Sequence, residues 1–403
     1  MFSRHYEKVI IGCCFLSIFV NVGLASTAFS VHQPYIVAIP GVGDTGGSLV
    51  LSARTLTSLL IMLVVDRYYR LLDVRRGVFV AALCTAAGFT AYSFAFNLPS
   101  FLAGAVLLGL GYGLGGMVSV TYLVNRWFSN GIGTVVGFVS MGSGLASIIM
   151  PLVVVRVIEA FSLSVAFRVE ALVALALGVL VFALLRNRPS DMGLKPYEGK
   201  PGKTRTRKAT QVGTVGKGEH AVLLVAMVCV GVFSCCGMTY MSVLATSSGF
   251  DTVFAATLVS IAGATLTGAK FVCGELFDHL GAPRASAVMF ALAMVGFTLC
   301  CFAGLGNPVI MVCGALFVGM GLSLGTVGIS VWSLDLSNPA TREREVKNFQ
   351  VAYALGGFIA NTLPGIVKDL VGTYVVSYAA MVAVTAVAAI IVLRFYRKYV
   401  RNV

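Results

Sequence analysis

Apolar runs of about twenty residues recur along the whole sequence, from Val9 to Leu393. A helix needs about 20 mainly apolar residues to cross the roughly 30 Å hydrocarbon core of a bilayer. Hydrophobic residues make up 58% of the 403 residues and charged residues only 11%, whereas about 25% of the residues of a soluble domain are charged. The sequence therefore predicts an all-α integral membrane protein.

Twelve transmembrane helices account for these runs. We place them at residues 9–31, 47–65, 77–96, 101–124, 132–155, 166–185, 221–247, 252–273, 285–304, 308–331, 347–367 and 371–393. The net charge of +13 then has a simple interpretation. With the N-terminus inside, all Lys and Arg residues face the cytoplasm except Arg54, Arg156, Arg168, Lys270 and Lys368. This bias is the positive-inside rule, so we expect cytoplasmic termini, a multi-pass protein of the cell inner (plasma) membrane and no nucleic-acid partner.

A polar segment at 186–220 divides the chain. It is basic and rich in Gly, Pro and Thr, which is typical of a flexible linker. The predicted domains are a six-helix bundle at 1–185, a cytoplasmic linker at 186–220, and a second six-helix bundle with a short cytoplasmic tail at 221–403.

The two halves carry weakly similar patterns in the same order. "GLGYGLGG" at 109–116 in the fourth span matches "GMGLSLG" at 319–325 in the tenth. Gly144 precedes Pro151 by seven residues in the fifth span, and Gly357 precedes Pro364 by seven in the eleventh. Duplicated halves are typical of secondary transporters, which bind substrate near the bilayer midplane.

The inner turn after the eighth span, "GELFDHLGAPR" at 274–284, resembles a loop pattern of the major facilitator superfamily, roughly G-x-x-x-D-x-x-G-x-R. Gly274, Asp278, Gly281 and Arg284 fit the pattern in the second half. In the first half Asp66 and Arg67 remain, whereas Met62 replaces the first glycine and Tyr69 or Arg70 the second. The resemblance implies two pseudo-symmetric six-helix bundles and a gating role for these loops.

Two further stretches are similar to the oxalate/formate antiporter and monocarboxylate transporter branch of that superfamily. They are "RPSDMGLKP" at 188–196 and the basic residue four positions before Gly274. In that branch the basic residue at the position of Lys270 binds the substrate. The resemblance therefore implies that Lys270 is a substrate-binding cation.

Arg54 and Lys270 lie inside predicted spans, where a charge at the helix centre costs roughly 2.5–3.5 kcal/mol on insertion scales. Lys270 precedes Asp278 by eight residues and Arg54 precedes Asp66 by twelve, which places them about 12 and 18 Å from the inner helix ends. If Asp66 and Asp278 are equivalent, the cations differ in height by one turn. Both could instead extend toward headgroups, and Glu170 could pair with either one.

Other polar residues in or beside the spans are weaker candidates for contacts to a carboxylate or for gates. They are Tyr122, Tyr240, Tyr353 and Asn361, together with His32, which we expect at the outer mouth. A residue of each of these types, taken alone, is more often a packing or interface residue.

Neither catalytic nor metal-binding residues are predicted, and no cofactor is expected. No P-loop, HExxH or CxxC motif occurs in the sequence, so ATP-driven transport and zinc binding have no support. The ten cysteines all fall in or at the ends of spans, where we expect them to be small packing residues.

These observations together favour a monomeric secondary transporter that moves a small organic anion, a mono- or dicarboxylate, by alternating access. Exchange is favoured, and proton symport remains open, with the proton on the substrate or on Glu170. Two alternatives stay open as well: an exporter of hydrophobic or cationic compounds with the same fold, and a non-transporting membrane sensor.

Overall fold

The computed structural model describes residues 6–129, 132–198, 217–336 and 342–399. These residues are nearly all helical, so the predicted all-α fold is confirmed. The chain forms two compact units, the N-unit (Met1–Arg205) and the C-unit (Thr206–Val403).

Eight α-helices form the described part of the N-unit. They are α1 (Tyr6–Ile18), α2 (Gln33–Val37), α3 (Gly43–Leu71), α4 (Val74–Ser93), α5 (Leu98–Gly115), α6 (Met117–Trp127), α7 (Ile132–Ala160) and α8 (Leu163–Leu184). The first predicted span is not a regular helix throughout. Between α1 and α2 the chain forms a π-helix at Phe19–Thr27 and a 3₁₀ turn at Phe29–His32.

Eight further α-helices form the described part of the C-unit. They are α9 (Lys217–Thr239), α10 (Met241–Ser247), α11 (Thr252–Leu280), α12 (Ala282–Cys301), α13 (Pro308–Leu322), α14 (Val327–Asp335), α15 (Arg342–Val371) and α16 (Val375–Tyr399). The long helices α9, α11, α12, α15 and α16, together with the α13–α14 pair, correspond to the predicted seventh to twelfth spans.

Eleven helical segments in the described residues are long and apolar enough to cross a membrane. The predicted span at 347–367 is not among them, although it lies within the 30-residue helix α15. The reason is its composition, since Gln350, Asn361 and Thr362 interrupt the apolar residues of this helix.

The two units use the same helix pairings. In the N-unit α5 packs on α3 and α4, α8 packs on α4, and α7 packs on α1 and the π-helix. In the C-unit α13 packs on α11 and α12, α16 packs on α12, and α15 packs on α9. The repeat that the sequence suggested is therefore present in the packing of each unit.

Matching glycines permit the close helix contacts in this repeat. A methyl group on Gly109 of α5 would lie 2.5 Å from the carbonyl oxygen of Arg54 on α3. A methyl group on Gly319 of α13 would lie 2.5 Å from the carbonyl oxygen of Ala262 on α11. Only a residue without a side chain allows the two backbones of each pair to approach this closely.

The start of the predicted linker packs on the N-unit. The Tyr197 amide donates to the Trp127 carbonyl oxygen at 2.8 Å, the Ser129 amide donates to the Tyr197 carbonyl oxygen at 3.1 Å, and the Tyr197 ring makes an edge contact with Phe128. Residues 186–198 are thus anchored to the end of α6. Residues 199–216 of the predicted linker lie outside the described residues.

Candidate functional site

Arg54 is held deep inside the N-unit. Its side chain is on α3 and only 5% of the residue is exposed. Nη1 donates a hydrogen bond of 2.7 Å to the Ala25 carbonyl oxygen, and the guanidinium carbon lies 5.5 Å from the centre of the Phe29 ring. Ala25 belongs to the π-helix, and π-helical turns occur frequently at functional sites. Arg54 therefore joins the interior of the unit and does not extend into solvent.

Glu170 pairs with His32 in the described residues. Its Oε2 lies 2.9 Å from Nε2 of His32, and both side chains are fully buried. The His32 ring stacks on Phe167 at 4.8 Å, and its Nδ1 lies 3.2 Å from the Phe29 carbonyl oxygen. The position expected for His32, at the outer mouth, is therefore wrong, because the 3₁₀ turn points the imidazole inward to α8.

Aromatic rings surround this pair and connect it to Arg54. The Phe29 ring lies 5.0 Å from the His32 ring and 5.6 Å from the Tyr92 ring, and Tyr92 lies 5.2 Å from Phe167. Phe29 thus contacts both the guanidinium of Arg54 and the imidazole of His32. We call Arg54, Phe29, His32, Tyr92, Phe167 and Glu170 the N-unit polar cluster.

Three buried polar atoms in or beside this cluster have no hydrogen-bond partner among the described residues. They are Ser30 Oγ, Tyr92 Oη and Glu170 Oε1. The 2.9 Å approach of Glu170 Oε2 to His32 Nε2 is close enough for an ion pair but is poorly aligned for a hydrogen bond. Buried polar groups in proteins are normally paired, so each exception calls for an explanation.

Lys270 has a different environment in the C-unit. It lies on α11 and is half-buried. It makes neither a hydrogen bond nor an ion pair in the part of the chain that the structure describes. Thr267, one turn away, donates its hydroxyl to the Gly263 carbonyl oxygen of its own helix at 2.8 Å. The next residues, Phe271 and Val272, are each 57% exposed.

The structure corrects the register between the two cation-bearing helices. Helices α3 and α11 both have 29 residues, so we align them from their first residues. The contact of Gly109 with α3 and the contact of Gly319 with α11 agree with this alignment to within one residue. Asp278 then aligns with Tyr69 and not with Asp66. The cause is that α3 continues beyond Asp66 to Leu71 and buries the Tyr69 ring, whose Oη donates to the Leu114 carbonyl oxygen at 2.6 Å.

This register changes the predicted depths of the two cations. Arg54 is the twelfth residue of α3 and Lys270 is the nineteenth of α11. The separation along corresponding helices is two turns, roughly 10 Å, and not the single turn expected from the motif. Neither cation has a charged counterpart in the other unit.

Tyr240 and Asn361 come together in the C-unit. The Tyr240 hydroxyl donates to the Asn361 carbonyl oxygen at 2.7 Å, and only 1% of Tyr240 is exposed. Tyr353 accepts a weak hydrogen bond of 3.9 Å from the thiol of Cys235.

Tyr122 is not placed near Arg54. Its ring lies 5.7 Å from that of Tyr69, and Tyr69 follows Arg54 by fifteen residues on the same helix. At 1.5 Å per residue this is roughly 22 Å along α3. Tyr122 and Arg54 therefore lie at different depths of the N-unit, and a role of Tyr122 in binding a carboxylate stays a prediction.

The inner loop of the C-unit has the geometry that its motif requires. Gly281 ends α11 with φ +78° and ψ 158°, a conformation that favours glycine. Asp278 and Arg284 are exposed, and neither makes a hydrogen bond or an ion pair within the described ranges. Gly274 lies within α11.

The corresponding loop of the N-unit is built differently. Arg67 is exposed, and the Asp66 side chain lies outside what the structure describes. Asp73 caps α4 by accepting from the Arg76 amide at 2.8 Å. Tyr68, beyond the apolar span, donates its hydroxyl to the Gly77 carbonyl oxygen at 2.9 Å. Burial raises the pKa of Tyr68 to about 12, so this phenol remains a donor at physiological pH.

Sequence reasoning missed a second polar group in the N-unit. Asn21 donates to the Ser17 carbonyl oxygen at 3.1 Å, and its Oδ1 accepts from the Thr85 hydroxyl at 2.8 Å. The sequence contained a signal for this group, because the side-chain amide of Asn21 lies within the first apolar run. The ten cysteines all lie within the described residues and are free thiols, and no group of three or more His, Cys, Asp or Glu there is arranged to hold a metal ion.

Comparison with known families identifies the scaffold. The model of the Major Facilitator Superfamily matches residues 13–361, most of the chain. The chain belongs to the major facilitator superfamily. The eleven apolar helices accordingly make it a multi-pass membrane protein with a transporter fold.

Solved structures of other superfamily transporters have the same fold. A POT family transporter in complex with 5-aminolevulinic acid matches with a TM-score of 0.73 at 15% identity, covering 96% of each chain. A bacterial homologue of the human lysosomal transporter Spinster matches at 0.69 and 14% identity, covering 98% of each chain. A D-xylose-proton symporter matches at 0.69 and 14% identity, covering 97% of each chain. None of the curated proteins that were compared matches the chain.

Proposed function

We propose that this major facilitator protein is a secondary transporter that moves a small organic anion, a mono- or dicarboxylate, by alternating access. It works as a monomer in the cell inner membrane with both termini in the cytoplasm. The anion is bound by Lys270, and the oxalate/formate and monocarboxylate branch remains the best match for its motifs.

The observation that carries this proposal is the state of Lys270. A lysine in the middle of an apolar 29-residue helix, with neither a hydrogen bond nor an ion pair among the described residues, lacks the compensation that buried charges normally have. A substrate carboxylate would supply it. An amine or an uncharged substrate would leave the cation uncompensated.

Arg54 supports an anionic substrate in a different way. It places a second permanent positive charge in the interior of the N-unit, where Glu170 is paired with His32. A planar guanidinium suits carboxylates, which it can bind with two parallel hydrogen bonds.

Uptake into proteoliposomes tests the proposal. Purified protein is reconstituted, and uptake of radiolabelled lactate, formate and oxalate is compared with that of a labelled amine and a labelled sugar. We expect uptake of at least one carboxylate, lost in Lys270→Gln and retained in Lys368→Gln, a matched lysine at the end of α15. Uptake of the amine alone, or carboxylate uptake that survives Lys270→Gln, would overturn it and favour the exporter alternative.

A further inference from the structure

The end of the N-unit where α4 begins and α8 ends carries a fixed arginine that the proposed anion site does not use. The Arg75 amide donates to Oδ1 of Asn187 at 2.8 Å, and Arg75 Nε donates to the Phe182 carbonyl oxygen at 2.8 Å. The guanidinium carbon lies 4.5 Å from the centre of the Phe182 ring. These contacts hold the side chain in one position, and they leave both Nη groups without a hydrogen bond in the described residues.

Two further arginines lie at this end of the two helices. Arg76 is exposed and follows Arg75 on α4. Arg186 directly precedes Asn187, and its Nη1 donates to two carbonyl oxygens at the end of α8, each at 2.9 Å. Asp73 is the acid beside them; it caps α4, and its Oδ2 lies 3.7 Å from Arg76 Nε. Positive charge therefore exceeds negative charge at this end of α4 and α8.

An apolar surface starts at the same point and follows both helices. The Phe79 ring of α4 lies 4.7 Å from the Phe182 ring of α8, on which Arg75 stacks. Leu83 on α4 and Leu172 on α8 are exposed further along. Leu172 precedes Phe182 by ten residues, roughly 15 Å along a helix. Because one leaflet contributes about half of the roughly 30 Å hydrocarbon core, this surface spans the depth that an acyl chain occupies.

We propose that this place binds an anionic phospholipid, with the headgroup phosphate on Arg75 and Arg76 and an acyl chain on the apolar surface that begins at Phe79 and Phe182. We call it the α4–α8 lipid site. A planar guanidinium offers several donors that match phosphate oxygens, and basic pockets between transmembrane helices bind anionic headgroups. The inference concerns a membrane partner and does not depend on which substrate is transported.

The apolar surface and the charge decide between a lipid and other occupants. A free phosphate ion would use the arginines but would leave the apolar surface without a partner. Residues 199–216 of this chain carry basic and no acidic side chains, so the arginines would repel them. An anionic lipid satisfies both parts, because its phosphate is attached to its acyl chains.

The fixed position of Arg75 distinguishes this site from the other arginines near span ends. Such arginines are common because of the positive-inside rule, so charge alone does not mark a site. Arg168, at the opposite end of α8, lies 5.3 Å from the Phe94 ring but makes no hydrogen bond within the described ranges. Arg75 is already ordered by a carbonyl oxygen and a ring, so less side-chain freedom is lost when a headgroup binds.

Thermal unfolding of the detergent-purified full chain tests the site, since a ligand that binds only the folded state stabilises it. The probes are dioleoylphosphatidylglycerol, which is anionic, dioleoylphosphatidylcholine, which has the same acyl chains and no net charge, and inorganic phosphate at the same concentration. Native mass spectrometry counts the lipids that stay bound. We expect phosphatidylglycerol to bind more tightly than phosphatidylcholine and to raise the unfolding midpoint, and inorganic phosphate to leave the midpoint unchanged.

Paired variants locate the headgroup. One basic residue near an anionic lipid contributes about fivefold in affinity, so Arg75→Gln/Arg76→Gln should weaken phosphatidylglycerol binding by about twenty-fivefold and leave phosphatidylcholine binding unchanged. Arg156→Gln/Arg168→Gln removes two exposed arginines of the same unit and should change neither. Arg75→Lys keeps the charge without the planar donors and should have an intermediate effect.

Arg76→Gln alone is the second variant if the paired substitution does not fold. Its described side-chain contact is the 3.7 Å approach to Asp73, and the side chain is exposed. The fold should therefore persist, with a loss of about fivefold in phosphatidylglycerol affinity.

Four outcomes would overturn the proposal. Equal binding of the two lipids would make this an ordinary lipid-facing surface. Unchanged phosphatidylglycerol binding in the folded variants at Arg75 and Arg76 would mean that the headgroup binds elsewhere. An equal loss in Arg156→Gln/Arg168→Gln would show an effect of net charge alone. A rise in midpoint with inorganic phosphate equal to that with phosphatidylglycerol would make the arginines a site for a soluble anion.

Discussion

The two units share a scaffold but treat their buried cation in opposite ways. Each packs corresponding helices together, and each uses a glycine at the same place to bring them close. In the N-unit, Arg54 is fixed by a backbone carbonyl and an aromatic ring beside a buried acid–base pair. In the described part of the C-unit, Lys270 makes neither a hydrogen bond nor an ion pair.

The comparison teaches that scaffold and site are set by different residues. Glycines and apolar side chains specify the helix pairings, which are duplicated. The charges are not duplicated, since Lys270 aligns with Ile61 or Met62 and Arg54 aligns with Ala262 or Gly263. We propose that Lys270 attracts and binds the anion, whereas Arg54 is held by contacts within its own unit.

The largest effect is expected on removal of the charge at Lys270. Hydrogen bonds to charged groups contribute about 1.5–3 kcal/mol, so Lys270→Gln should weaken anion binding by roughly ten- to a hundredfold. Lys270→Arg keeps the charge and should retain part of the affinity. Isothermal titration of the purified variants with the transported carboxylate measures this, and equal affinity in Lys270→Gln would contradict the role given to the C-unit.

The stability of the fold should depend more on Arg54 than on Lys270. Arg54→Gln loses the hydrogen bond to Ala25 and the contact with Phe29, which together should cost about 2–3 kcal/mol. Lys270→Gln breaks no described contact and should leave the unfolding midpoint unchanged or raise it. Thermal unfolding in detergent gives the ranking, with Arg67→Gln as the exposed control on the same helix. A greater loss in Lys270→Gln than in Arg54→Gln would reverse the comparison.

The shared scaffold predicts that equivalent glycine substitutions lower the stability of the two units by similar amounts. Gly109→Ala and Gly319→Ala each place a methyl group against a carbonyl oxygen of the neighbouring helix, and overpacking of this kind costs about 1–3 kcal/mol. Gly268→Ala, on α11 with open space around it, should be neutral or stabilising. The unfolding midpoints of the three variants decide whether the repeat is structural; similar values for all three would argue against it.

The smallest expected effect on stability is the difference between two buried tyrosines. Tyr240→Phe removes a hydroxyl that donates to the Asn361 carbonyl oxygen and should cost about 1 kcal/mol. Tyr92→Phe removes a hydroxyl without a hydrogen-bond partner in the described residues and should cost nothing or stabilise. The same unfolding assay compares them, and a clear loss in Tyr92→Phe would show that this hydroxyl has a partner after all.

Much of the architecture could be predicted because its signals are local. Apolar length gave the spans, and repeated glycines pointed to helix pairs that the structure brings into contact. Arg54 and Lys270 stood out because a charge is rare in an apolar run. The anion-binding role of Lys270 came from the resemblance and is still a prediction.

The remaining features depend on contacts that the sequence does not encode locally. His32 lies in the 3₁₀ turn of the first predicted span and Glu170 is the eighth residue of α8, and they meet only because the first span turns into a π-helix and a 3₁₀ turn. The helix register was missed for a similar reason. The motif letters aligned Asp66 with Asp278, whereas burial of Tyr69 extends α3 by more than a turn beyond Asp66.

The most direct test of the account compares a carboxylate with its uncharged amide. Purified protein is titrated with lactate and with lactamide, which differ mainly in charge, and the shift in thermal unfolding is followed, since a ligand that binds only the folded state stabilises it. Formate with formamide and oxalate with oxamide extend the pairs. The account predicts that at least one carboxylate raises the midpoint, that its amide does not, and that the difference disappears in Lys270→Gln. Equal shifts from a carboxylate and its amide, or a carboxylate shift that persists in Lys270→Gln, would contradict it.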